Sequence, residues 1–111
     1  MNYFNLIFSN KSILRIFQLE MFKKIKIKGE IIEFGASEKV DKNFCNNELK
    51  NCKITYSNIN SSNKEFLNID LQKEIYLDLK YDYIVIFNVL EHLFDPNLAL
   101  KNLSTICKKN G

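Results

Sequence analysis

Residues that suit a nucleoside-like ligand follow the predicted strands of this chain. Gly35 ends the first strand, and a glycine there lets a ligand approach the backbone closely. Asn58 comes 23 residues later (58 minus 35), at the end of the second strand, where an amide can hydrogen-bond two ribose hydroxyls. Asp70 follows the third strand and could accept a hydrogen bond from an adenine amino group. The same residue types also suit tight turns and polar loops, so both interpretations stay open.

Glu91 and His92 form a second candidate for chemistry. His92 is the only histidine of the sequence and could serve as a general base or a metal ligand. Two adjacent ligands do not make a dependable metal site, so we predict no bound metal. The catalytic hypothesis is that His92 assists deprotonation of a substrate hydroxyl. The alternative is that the pair structures the turn after the preceding strand.

Alternating strands and helices must position these residues. Short β-branched runs predict strands, and the continuous apolar run Tyr83–Phe87 is typical of a strand covered on both faces. Asp95 as N-cap and Pro96 in the first turn predict a final helix. The apolar positions of that helix are Leu98, Leu100, Leu103 and Ile106. The other predicted elements are strands over 30–34, 53–57 and 65–69, a helix over 41–50 and a polar loop over 58–64.

This order of elements predicts an open α/β sheet with right-handed crossovers. Such a sheet binds ligands at the carboxyl ends of its strands. Gly35, Asn58, Asp70 and Asn88 all follow predicted strands, so we expect them at that edge of the sheet.

Residues 1–28 are predicted to form an N-terminal helical segment ahead of a domain spanning 29–111. Ser12 suits the N-cap of a helix whose apolar residues recur at helical spacing from Ile13 onward. We expect this helix to pack on the sheet or to cap a pocket. The alternative is a lid or membrane-surface helix, with lysines at its exit. Those lysines are Lys23, Lys24, Lys26 and Lys28.

Composition narrows the remaining classes of protein. The 111 residues are 46% hydrophobic, which predicts one small globular domain and excludes a disordered chain. A net charge of +3, with Arg15 as the single arginine, gives no reason to expect a nucleic-acid partner. Three cysteines without a CxxC pair predict reduced thiols. No apolar run approaches the roughly 18 residues of a membrane span and no signal-peptide pattern is present, so we predict a cytoplasmic protein.

The C-terminal stretch YDYIVIFNVLEHLFDPNLALKNLSTICKKNG resembles the class I S-adenosylmethionine-dependent methyltransferases of the type 11 and type 12 domain families. In that family a Tyr-Asp pair leads into the fourth strand, a Leu-Glu-His-Leu segment follows, and a helix ends in Lys-Pro-Gly-Gly. The corresponding residues are Tyr81–Asp82, Leu90–Leu93 and Lys109–Gly111. The earlier GEIIEFGAS, with Glu33 and Gly35, looks like the family's first motif, so the resemblance runs from Gly29 to the last residue.

The resemblance implies a Rossmann-like, doubly wound and mostly parallel sheet that binds S-adenosylmethionine and transfers its methyl group to a small-molecule or sugar acceptor. The residues it assigns to the cofactor are Glu33, Gly35, Ser37, Asn58, Asp70 and Asn88, the last near the reactive methyl group. Two departures from the family pattern stand out. Ser37 and Lys39 hold positions where the family usually has further glycines, and Asn58 replaces the acid that binds the ribose. Lys39 could instead attract the carboxylate of the cofactor.

The family's sheet has seven strands and this sequence supplies about four, so the resemblance predicts the N-terminal part of a truncated domain. We expect such a fragment to expose an apolar edge at residues 83–87, to be poorly stable and to be inactive alone. Two other hypotheses stay open. One is a different nucleotide-binding enzyme such as a dehydrogenase, against which the absent Gly-x-Gly-x-x-Gly argues. The other is a non-catalytic module that associates with a partner chain.

Overall fold

The computed structural model describes residues 13–46 and 49–111. These residues form three strands, two α-helices and two single turns of 3₁₀ helix. In chain order the main elements are α1 (Ile13–Lys23), β1 (Gly29–Phe34), β2 (Cys52–Ser57), β3 (Tyr83–Ile86) and α2 (Pro96–Ser104). The 3₁₀ turns are Val40–Lys42 and Leu90–His92. The predicted N-cap of α1, Ser12, lies outside the described residues.

The three strands form one parallel sheet in the order β2-β1-β3. At the middle of the register, Ile31 of β1 pairs with Ile54 of β2 and with Tyr83 of β3. β1 is therefore the central strand, and its last four residues are all buried. A fully apolar or buried central strand is what a sheet covered on both faces requires.

The two helices cover opposite faces of the sheet. Because side chains alternate along a strand, Ile31 joins one core cluster, together with Phe22 of α1. Ile32 joins the other cluster, together with Ala99 and Leu103 of α2. This arrangement confirms the predicted α/β class, an incomplete Rossmann-like sheet preceded by an N-terminal helix.

The prediction of a helix over 41–50 is wrong for the described part of that segment. Only Val40–Lys42 makes a helical turn, and the chain then bends away. The backbone amides of Phe44 and Cys45 donate to the carboxylate of Glu33 at 3.3 and 2.6 Å. Amides held by an acidic side chain from another element cannot also make helical bonds, so a tertiary contact overrides the local pattern. Residues 47 and 48 lie outside the described residues.

The predicted strand over 65–69 reduces to a single β-bridge between Ser57 and Leu67. The Leu67 amide donates to the Tyr56 carbonyl at 2.9 Å, and the Leu67 carbonyl accepts from the Asn58 amide at 3.0 Å. The preceding residue is held in a turn instead, since the Phe66 amide donates to the Asn63 carbonyl. The described sheet therefore has three strands where the sequence predicts four.

The start of α2 follows the prediction closely. Asp95 is its N-cap and accepts a hydrogen bond from the Leu98 amide at 3.1 Å, with Pro96 in the first turn. Its apolar face differs from the prediction, because Leu98 and Leu100 are exposed and Ile106 lies beyond the last helical residue. The side chains of α2 that join the core cluster are Ala99 and Leu103.

No helix among the described residues has the length and apolar character that crossing a membrane requires.

Candidate functional site

Gly35 lies at the carboxyl end of the central strand, where the chain turns sharply. Its φ angle is +69°, in the left-handed region that favours glycine. A β-carbon at this position would lie 2.6 Å from Cγ2 of Val89, which is closer than non-bonded atoms approach. The glycine thus leaves an exposed stretch of backbone against Val89, and two depressions open beside it.

The first depression, here called the Asn58 pocket, has a volume of about 100 Å³. It combines polar groups from Asn58 and Asp70 with an apolar floor that includes Leu71 and Val89. Gly35 forms part of its rim. An apolar surface with a few convergent polar groups is the usual composition of a small-molecule site.

Both polar side chains of the Asn58 pocket are oriented by hydrogen bonds to backbone groups. The Asn58 amide nitrogen donates to the Ala36 carbonyl at 2.8 Å, and its oxygen accepts from the Asn60 amide at 3.0 Å. One oxygen of Asp70 accepts from the Gln72 amide at 2.9 Å. A carboxylate offers about four lone-pair sites and an amide oxygen two, so these contacts fix the groups without exhausting their capacity to accept.

The second depression, here called the Arg15 pocket, has a volume of about 110 Å³. Its polar and charged lining comes from Arg15 of α1 and from Glu33, Ser37, Lys42 and Asn43. Its apolar lining includes Phe44 and Phe87, whose rings stack with centroids 3.9 Å apart. Phe34 and Gly35 line both depressions, so the two pockets meet at the turn after β1.

Arg15 is one of the two cationic residues in the lining of this pocket, together with Lys42. Its guanidinium lies 3.8 Å from the centroid of the Phe44 ring, and it also donates a hydrogen bond to the Lys42 carbonyl. Partial burial lowers the pKa of Arg15, while the nearby Glu33 carboxylate raises it. A guanidinium stays charged at neutral pH under either influence.

Glu33 is the buried acid beneath the Arg15 pocket, with 4% of its surface exposed. Its two oxygens accept the hydrogen bonds from Phe44 and Cys45 described above. Burial raises the pKa of Glu33, and those two amides and the charge of Arg15 oppose the rise. Its visible role is therefore to hold the segment that forms the pocket wall.

Ser37 forms the edge of the Arg15 pocket through its backbone. Its amide donates to the Asn43 side chain at 2.6 Å, and its carbonyl accepts from the same side chain at 2.9 Å. Its hydroxyl accepts from the Lys39 amide at 3.1 Å. The Lys39 side chain is exposed and does not line the pocket, so the cationic residues in its lining are Arg15 and Lys42.

Asn88 lies outside the lining of both pockets and contacts α1 instead. It has a φ angle of +58°, and its side chain exchanges two hydrogen bonds with the Gln18 side chain at 3.0 and 3.1 Å. This amide pair and the position of Arg15 place α1 across the carboxyl ends of β1 and β3. The expectation that α1 caps a pocket agrees with this position.

His92 also lies away from the two pockets. Its side chain is 76% exposed, and its Nε2 atom is 3.9 Å from a Glu91 carboxylate oxygen. Within residues 13–46 and 49–111, no three His, Cys, Asp or Glu side chains come together in a way that could hold a metal ion.

Five of the seven predicted site residues therefore surround one turn, while Asn88 and His92 do not. Those five are Glu33, Gly35, Ser37, Asn58 and Asp70. Arg15, Phe44 and Phe87, which also line the Arg15 pocket, were not predicted as site residues. Arg15 is the only arginine of the chain, which was the one available signal, but its contact partners lie far away in sequence.

The motif residues at the amino ends of the strands make contacts that stabilise the fold. Asp82 accepts hydrogen bonds from the Glu30 amide at 2.8 Å and from the Lys108 amine at 3.1 Å, contacts that lower the pKa of Asp82. The buried Tyr81 bonds through its backbone with Ile106 and Lys108 at 2.8 and 2.9 Å. These residues join the start of β3 to β1 and to the end of the chain.

Comparison with known proteins identifies the family to which this sequence corresponds. No curated protein and no solved structure matches the chain significantly. The sequence pattern of a family described as a methyltransferase domain matches residues 35–111, which include Gly35, the motif residues from Tyr81 onward and α2. The chain therefore belongs to this family of methyltransferase domains.

Proposed function

We propose that this chain binds S-adenosylmethionine across Gly35 and that the domain transfers the methyl group to a small-molecule or sugar acceptor. The observation that carries the proposal is the pair of pockets that meet at Gly35, one with an amide and a carboxylate and one with a guanidinium. Each pocket is smaller than the roughly 300–1,000 Å³ of a typical ligand site. A ligand the size of a nucleoside joined to an amino acid would have to span both.

The Asn58 pocket suits the adenosine part of such a ligand. Asn58 and Asp70 are acceptors for ribose hydroxyls and for an adenine amino group, as predicted from the sequence. Leu71 and Val89 supply apolar surface for the faces of a base. The side chains are already oriented by hydrogen bonds to backbone groups, so binding would require little ordering of these residues.

The Arg15 pocket suits the amino-acid part. Its guanidinium can form charge-assisted hydrogen bonds with an α-carboxylate, and the exposed backbone at Gly35 lies between that group and the nucleoside. The buried Glu33 carboxylate contributes negative potential on the side where an α-ammonium group would lie. S-adenosylmethionine supplies a sulfonium-bound methyl group that is already electrophilic, so the residues of the chain need only to bind and orient it.

The acceptor would approach from the exposed rim of the sheet. The net charge of +3 and the single arginine do not indicate binding of nucleic acid, so a small molecule or a sugar is the favoured acceptor. The role of His92 as a base for an acceptor hydroxyl stays a prediction. Its exposed ring lies on the solvent side, and an unchanged pH profile of turnover in His92→Ala would exclude the role.

Calorimetric titration of the chain with S-adenosylmethionine tests the proposal. We expect saturable binding, and about tenfold weaker binding or worse in Arg15→Gln, because a hydrogen bond to a charged group contributes about 1.5–3 kcal/mol. Lys39→Gln removes a neighbouring charge that does not line the pocket and should leave the affinity within about twofold. Absence of binding, or preferential binding of a dinucleotide, would contradict the proposal.

A further inference from the structure

The face of α1 that points away from the sheet is apolar and exposed. Ile13, Phe17 and Met21, each four residues after the one before, are 73%, 60% and 67% exposed, and Leu14 beside them is 60% exposed. Residues at this spacing lie along one side of a helix. A continuous apolar strip on a short surface helix indicates contact with something other than water.

The orientation of this strip is fixed by the opposite face of α1. Ile16 and Phe22 are buried against the body of the chain, and Phe22 packs edge-on against Phe44 and Phe87 with ring centroids 5.8 and 6.2 Å away. The hydrogen bond between the side chains of Gln18 and Asn88, just after β3, also holds α1 in this orientation. Turning the apolar strip inward would break this packing, so the strip stays on the surface.

The exposed charged side chains beside the strip all have one sign. From residue 13 to residue 28, every exposed side chain is either apolar or a lysine, and the only acid, Glu20, is partly buried. The exposed apolar series extends past the helix to Ile25, which is 53% exposed. The exposed lysines are Lys23, Lys24, Lys26 and Lys28.

We propose that α1 and the lysines after it dock this chain on the surface of an anionic lipid bilayer. A helix with one apolar face and neighbouring lysines lies in the plane of the interface, with its apolar side chains among the acyl chains. The lysines add attraction to anionic headgroups of about 1 kcal/mol each, which is about fivefold in affinity. A nucleic acid would not explain the apolar strip, and a purely apolar protein partner would not explain the lysines. This proposal is independent of the proposed methyl transfer.

Co-sedimentation of the full chain with vesicles tests the proposal. We expect binding to vesicles of phosphatidylcholine mixed with phosphatidylglycerol, and at least tenfold weaker binding to phosphatidylcholine alone. High salt should weaken the binding to the mixed vesicles. Equal binding to both vesicle types, or to neither, would overturn the proposal.

Matched variants identify the surface responsible. Phe17→Glu should weaken binding to the mixed vesicles at least tenfold, and the double change Lys24→Gln with Lys26→Gln about 25-fold. Leu100→Glu alters a residue that is 51% exposed on α2, which covers the other face of the sheet, and should bind like the unaltered chain. All three replace exposed side chains, so circular dichroism should show unchanged folding. If Phe17→Glu abolishes self-association and leaves vesicle binding intact, a second copy of the chain covers the strip and the proposal is wrong.

Discussion

Replacing Gly35 with alanine tests the geometry of the site at its centre. The left-handed φ angle of +69° costs a non-glycine residue about 1–2 kcal/mol. The new methyl group would also lie 2.6 Å from Cγ2 of Val89, and overpacking of this kind costs about 1–3 kcal/mol. We therefore expect Gly35→Ala to lower the free energy of unfolding by about 2–5 kcal/mol.

The two contributions separate in a double-mutant cycle with Val89→Ala. Removing Cγ2 of Val89 removes the close contact but leaves the backbone strain, so Gly35→Ala should cost only about 1–2 kcal/mol in that background. Urea unfolding followed by circular dichroism measures all four proteins. If the effects of Gly35→Ala and Val89→Ala on the free energy of unfolding are additive, the contact between the new methyl group and Cγ2 of Val89 is refuted. If Gly35→Ala is as stable as the unaltered chain, the left-handed backbone at residue 35 is refuted.

The same variants address binding. In the Val89→Ala background, the methyl group of Gly35→Ala would still occupy the junction of the two pockets. The affinity for S-adenosylmethionine should therefore fall at least tenfold relative to Val89→Ala alone. Gly29→Ala is the matched control, because Gly29 also has a positive φ angle (+94°) but lies at the amino end of β1 against the Asp82 carboxylate. It should lower stability and leave the affinity of the folded chain unchanged. If Gly29→Ala loses as much affinity as Gly35→Ala, the loss of binding reflects the loss of stability and gives no evidence for a site at Gly35.

Two further predictions concern buried polar groups. Burial raises the pKa of Glu33, so the stability contributed by its bound proton is fully present below the ordinary value of about 4.5 and is lost as the pH rises through the folded-state pKa. Urea titrations from about pH 4 to pH 7 should therefore show the unaltered chain losing stability relative to Glu33→Gln, and a constant difference would contradict the assignment. Asn102 is 9% exposed and donates to the Leu71 and Lys73 carbonyls at 2.8 and 2.9 Å, so Asn102→Leu should cost about 1–3 kcal/mol. The exposed Ser104→Ala on the same helix should stay within about 0.5 kcal/mol in the same unfolding measurement, and an equal cost for both would contradict this role of Asn102.

Elements defined by contacts close in sequence could be predicted from it. The apolar run that forms β3 and the Asp95–Pro96 start of α2 both depend on neighbouring residues, and both are present. The helix predicted over 41–50 failed because the carboxylate that binds its amides belongs to Glu33, on another element. Local propensity contains no information about such a partner.

Site residues that depend on contacts between distant parts of the chain could not be predicted from the sequence either. Gly35 and Asn58 follow strands, so a general rule for parallel sheets located them. Arg15 could not be placed in this way, because its position depends on how α1 crosses the sheet. Asn88 also follows a strand, but its side chain binds Gln18, which is 70 residues earlier in the chain.

Residues of the family motifs lie at both ends of the sheet, with Gly35 at the carboxyl end and Tyr81–Asp82 at the amino end. Tyr81 and Asp82 make their contacts at the amino end of β1 and β3, where they hold the strands and the end of the chain together. Ligands of an open parallel sheet bind at the other end, where Asn58 and Ser37 depart from the family pattern. The motifs at the amino end therefore account for the family's scaffold. Cofactor binding depends on the carboxyl end, so it must be measured on residues such as Arg15 that the family motifs do not include.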